Sequence, residues 1–151
     1  MARRGVRHRS EIRPAALAAL LLVLAQSALG MVVNLDVTVP ARHSGSSASN
    51  YLTGSIDSVG WAIGHGAAAL VAHAVLGLAL ALVALLDLRR AVRAGSRTIL
   101  ALWTLAALLV VGAGFNGASF LDYGRDASSL VMALLAFAAT ACYAAILYLA
   151  P

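Results

Sequence analysis

The sequence predicts an all-α protein: an antiparallel four-helix transmembrane bundle. Three observations lead there. The 151 residues are 62% hydrophobic and only 11% charged, with a mean hydropathy of +0.89. Soluble domains carry about a quarter charged residues, so this surplus of apolar side chains fits lipid better than water. The apolar residues gather into four runs, each near the ~20 residues a helix needs to cross the hydrocarbon core. The arginines, finally, are unevenly divided between the connections.

The runs cover 14–37, 59–86, 98–121 and 129–149. Pro14 suits the start of the first helix, where its missing N–H costs little. Residues 38–58 contain Pro40, Ser44, Ser46, Ser47 and Asn50, a composition that reads as loop. The second run is long enough to span with some tilt. Residues 87–97 form a basic connector, and 122–128 a short polar turn around Gly124. The expected organisation is a basic tail over 1–13 and one four-helix membrane domain over 14–150, with no length left for a separate soluble module.

Charge sets the expected orientation. All eleven basic residues are arginine, and the formal net charge is +5. Arg3, Arg4, Arg7, Arg9 and Arg13 precede the first run, and Arg89, Arg90, Arg93 and Arg97 lie in the second connector. Only Arg42 and Arg125 occupy the other two loops. The positive-inside rule places the nine in the cytoplasm, so the chain is expected to be a multi-pass protein of the cell membrane with both termini cytoplasmic. Topology thus accounts for the basicity, and nucleic acid is not an expected partner. Membrane lipids are, because the Arg-rich tail gains about 1 kcal/mol per arginine near anionic headgroups. A membrane-protein partner or a second copy also fits. Ala28-Leu29-Gly30 resembles the small-residue cleavage site of an export signal, but Met31-Val32-Val33 carries the apolar run past it, so the segment is expected to stay as the first span.

Polar side chains within spans are costly and mark candidate sites. At about 1.5 Å per residue, Asn34, His65 and Asn116 fall in one stratum, roughly 10–13 Å outward of the span centres. Asp36, Ser119, Asp122 and Tyr123 lie just above it. Asn34, Asp36, His65, Asn116, Asp122 and Tyr123 are therefore the candidate ligand-binding set, with His65 the expected partner of Asp36. Gln26, His73 and Thr140 form a sparser midplane set. Helical phase aligns Gln26, Ser27, Gly30 and Asn34 on the first helix, and Gly112, Asn116, Ser119 and Tyr123 on the third. Gly60, Gly64 and Ala68 align on the second. These faces are expected to turn into the bundle, where small residues let backbones approach and polar ones bond across helices. The same residues are compatible with a plain structural role.

Buried histidines in membrane bundles raise the possibility of b-type haem. On a single second helix His65 and His73 would be separated by about 80° and 12 Å. They could not flank one iron. Ligation by histidine and methionine leaves Met132 or Met31 as a second ligand for His65. No cofactor is expected. Haem or quinone bound through His65 or His73 is the redox alternative, and a small transporter the third reading. A transporter would want discontinuous helices, for which Gly112, Gly114 and Gly117 could supply a break. No CxxC or HExxH motif and no catalytic constellation is present, and no metal site is expected. The lone Cys142 excludes an intrachain disulfide and reads as a small hydrophobe. His43 reads as a solvated loop residue, and His8 as part of the basic tail.

The stretches Met31 to Pro40 (MVVNLDVTVP) and Phe115 to Tyr123 (FNGASFLDY), with the spacing of His65 and His73, resemble uncharacterised small four-span membrane proteins of high-GC, actinobacterial-type bacteria. The resemblance covers most of the chain after the basic tail. It implies the four-span fold and carries over no catalytic residue.

Overall fold

The computed structural model describes residues 11–46 and 48–150, which form five helices and no strand. They are α1 (Ile12–Asp36), α2 (Tyr51–His65), α3 (Ala68–Ala94), α4 (Arg97–Tyr123) and α5 (Asp126–Leu149). Arg3, Arg4, Arg7, His8 and Arg9 of the expected basic tail lie outside the described residues, as do Ser47 and Pro151.

Helices α1, α3, α4 and α5 are 25, 27, 27 and 24 residues long. At 1.5 Å per residue they reach about 36–40 Å, enough to cross a ~30 Å hydrocarbon core. All four are apolar along their length, and large residues such as Leu21, Leu82, Leu108 and Phe137 point outward. The chain is a small integral membrane protein.

The four long helices close a ring in which α1 and α4 each pack against both α3 and α5. Neighbours are therefore antiparallel. One end of the ring holds the start of α1, the end of α5 and the α3–α4 connection; it is the Arg-rich end. The loop end holds residues 37–50, α2 and the α4–α5 turn. Apolar transfer drives little helix association inside lipid, so close packing must do it. The seam accordingly uses alanine: Ala16, Ala19, Ala84, Ala106 and Ala139 are fully buried. Local chemistry sets the ends. Pro14 falls in the first turn of α1. The Asn50 side chain accepts from the N–H groups of Leu52 and Thr53 at 2.9 and 3.3 Å, starting α2. Gly124 ends α4 with φ +61°, its N–H on Phe120 O.

The second apolar run departs from expectation. Residues 59–86 are not one helix. α2 begins at Tyr51, inside the segment read as loop, and stops at His65; α3 starts at Ala68. Gly66 and Ala67 between them are extended, with ψ 162° and 152°. A Cβ at Gly66 would stand 2.4 Å from Ala62 O, so this close approach needs glycine. Hydropathy does not register the break, because Gly66 is near neutral on that scale yet is a poor helix former. At 15 residues, about 22 Å, α2 is too short to span. It packs instead against α3 and α4 at the loop end, where Ala62 joins Val33, Leu70 and Leu121 in a small second core.

Candidate functional site

The loop end is built on α2, whose buried face is small and polar. Gly54, Ser55, Ser58 and Ala62 turn inward, while Leu52, Ile56 and Ile63 are exposed. This is the reverse of a helix lying on a water-facing core. Gly60 and Gly64, expected to face the bundle, have nothing within 4 Å of a Cβ position. They are exposed because the true phase of α2 differs from that of a continuous second span, and Ala68 belongs to another helix.

Asp122 lies beneath α2 and is 8% exposed. The Ser55 hydroxyl donates to its Oδ2 at 3.3 Å, while Oδ1 is buried without a partner. Gly54 is closely enclosed: a Cβ there would lie 3.1 Å from Ala48 Cβ, 3.3 Å from Gly45 O and 3.5 Å from Asp122 Oδ2. Gly45 has φ +98° and presses against Ser58, whose hydroxyl donates to Ser44 O at 3.4 Å. Tyr51 ties the start of α2 to α4. Its hydroxyl donates to Phe115 O at 2.9 Å, leaving its oxygen to accept from Ser119 Oγ at 2.8 Å.

His43 is not a solvated loop residue. Its ring stacks on Trp61 with centroids 4.5 Å apart. Its Nε2 lies 3.0 Å from Leu121 O and its Nδ1 2.8 Å from Ser44 O, two carbonyls that accept from the protonated ring nitrogen. The loop is thereby pinned across the end of α4, next to Asp122.

The other members of the expected set are dispersed. Among the described residues no hydrogen bond joins any two of Asn34, Asp36, His65, Asn116, Asp122 and Tyr123. Asn34 is exposed and accepts from Ser129 of α5 at 3.4 Å. Asn116 donates to Gly112 O, four residues back in its own helix, at 2.9 Å. Tyr123 is exposed, with the Arg125 guanidinium 5.3 Å from its ring centroid. Asp36 and His65 are both exposed, and neither bonds the other.

Of the midplane set, Gln26 and His73 do meet. The Gln26 amide donates to His73 O at 3.0 Å and to His73 Nε2 at 3.2 Å. With Nε2 accepting, the ring carries its proton on Nδ1. Two glycines make room for the pair. A Cβ at Gly30 would lie 2.9 Å from His73 Cε1, and one at Gly77 2.9 Å from Gln26 Nε2. Of the stripe expected on α1, Gln26 and Gly30 thus face α3, while Asn34 does not. Thr140 instead bonds Ala136 O within α5, at 2.9 Å. His65 and His73 sit on different helices, and the nitrogen His73 turns toward α1 is already engaged. Met31 is exposed, and the Met132 sulfur lies 3.2 Å from a Cβ position on Gly117. α4 runs unbroken through Gly112, Gly114 and Gly117.

No family model, curated protein or solved structure matches this chain.

One buried charged group went unnoticed in the sequence. Asp87, read as part of a basic connector, is 1% exposed inside α3 and paired with Arg90. Trp103 and Tyr143 lie in the same interior, edge to face at 5.3 Å between centroids. Phase was the available signal: Leu80, Ala84, Asp87 and Ala91 recur on one helical face.

Proposed function

We propose that this protein is a non-enzymatic component of the cell membrane with both termini in the cytoplasm. It binds a small ligand or lipid headgroup at its outward-facing loop end, as an accessory subunit or free-standing binder. The nine arginines assigned to one side by sequence support the orientation. The observation that carries the binding reading is the unpartnered Oδ1 of buried Asp122. An ionised carboxylate can only accept, so the complementary ligand brings N–H donors or positive charge. A primary ammonium headgroup, as in phosphatidylethanolamine, has both. The Ser55 hydroxyl and the His43-pinned loop hold the carboxylate in place. The redox alternative has less support, since Gln26 engages His73 and His65 is exposed at the end of α2.

The test is thermal unfolding in detergent micelles carrying short-chain phosphatidylethanolamine or its trimethylated counterpart phosphatidylcholine. At tenfold excess over Kd the ethanolamine lipid should raise Tm by about 3–6 °C. Asp122→Asn should abolish the rise, and Gly60→Ala, at an α2 position with open space around it, should retain it. Equal shifts with both lipids, or a shift that survives Asp122→Asn, would overturn the reading.

A further inference from the structure

His43 is held between two carbonyl oxygens. Its Nδ1 lies 2.8 Å from Ser44 O and its Nε2 3.0 Å from Leu121 O, so both ring nitrogens aim at groups that can only accept. A neutral imidazole has one N–H and one lone pair. It can satisfy one of these oxygens and must turn its lone pair on the other. Rotating the ring by a half turn puts carbon at both positions and loses both contacts. The residue itself is fixed by a tight turn. The His43 N–H donates to Ser46 Oγ at 3.1 Å, that hydroxyl donates to His43 O at 2.9 Å, and the Ser46 N–H donates to the same oxygen at 3.2 Å.

The imidazolium fits where the neutral ring does not, because it donates from both nitrogens. Leu121 is among the last four residues of α4, whose carbonyls lie at the negative end of the helix dipole. Trp61 lies nearly flat against the ring, with centroids 4.5 Å apart and planes inclined by 23°, and an indole face attracts a cation. We propose that His43, with both nitrogens protonated, is an acid-tightened clamp that fastens the 37–50 loop to the end of α4. The second proton stabilises the closed loop, so closure is strongest in acid and weakens as the ring turns neutral. The titratable and charged groups nearest these contacts are Arg42 on the loop, Asp57 and His65 one turn either side of Trp61 on α2, and Asp122, Tyr123 and Arg125 at the end of α4. Among the described residues only carbonyls bond the ring itself. The inference concerns loop closure and stands apart from ligand binding at Asp122.

The test is amide hydrogen exchange of the full chain in lipid nanodiscs. It is read at Ser46 and Ala48, whose N–H groups bond His43 O and Gly45 O. Wild type is compared with His43→Phe, which keeps a ring against Trp61 but has no proton to lose. The ratio of the two rates at each pH removes the intrinsic pH dependence of exchange and the contributions of the other titrating groups. The protection that His43 confers should be about tenfold greater at about pH 5 than at about pH 8, the worth of one hydrogen bond from a charged donor. Equal protection at the two pH values, or greater protection in base, overturns the proposal. Should the variant fail to fold, wild type alone gives a second reading. Two ring N–H signals in contact with Trp61 are expected in acid and one in base. A single ring N–H under both conditions overturns the clamp as well.

Discussion

Gly77 of α3 and Gln26 of α1 fit as hole and peg, since a Cβ at Gly77 would lie 2.9 Å from the Gln26 amide nitrogen. That amide makes both bonds to His73, so any residue larger than glycine must displace it and weaken them. Gly77→Ala should cost about 1–2 kcal/mol, in the upper range for interhelical polar contacts in lipid. In a Gln26→Ala background the penalty should vanish. A double-mutant cycle on unfolding in micelles measures this, and additive losses would contradict the fit.

His43 joins the loop to α4 and Trp61, and removing it should free the segment beside Arg42. A lost hydrogen bond and ring contact, about 1–2 kcal/mol together, correspond to roughly 5- to 30-fold more frequent local opening. Trypsin should cut His43→Ala at Arg42 faster by that factor. Equal cleavage rates in the two proteins would mean the contact does not hold the loop.

Gly45 and Gly60 should respond oppositely to alanine. Gly45 has φ +98°, and a Cβ there would stand 2.2 Å from Ser58 Oγ and 2.5 Å from Gly54 O. Gly45→Ala should cost about 2 kcal/mol or more from strain and overlap. Gly60 lies in a helix with open space around it, so Gly60→Ala should stabilise by up to about 1 kcal/mol. Unfolding midpoints of the two variants in one detergent decide the matter.

Hydropathy and length were enough to read the four crossings, because transfer to lipid depends on composition over ~20 residues. The Gln26–Gly30 stripe was legible from phase alone. The candidate site was not, and the reasons are local. Placing His65 and His73 on one helix assumed a continuity that Gly66 and Ala67 break. Depth grouped Asn34 with Asn116, yet depth says nothing of azimuth: Asn34 turns to α5, while Asn116 folds back on its own backbone. Asp87 was assigned to a connector by its charge, although its phase with Ala84 and Ala91 placed it inside. His43 could not have been read at all, since its partners Trp61 and Leu121 are distant in sequence.

The brevity of α2 has a topological consequence. Its 15 residues fall about a turn and a half short of a crossing. The number of crossings therefore remains even. That parity places Arg13 and the α3–α4 arginines at the same end of the bundle. An insertion of five or six apolar residues into α2 would make it a fifth crossing, and every helix after it would face the opposite way.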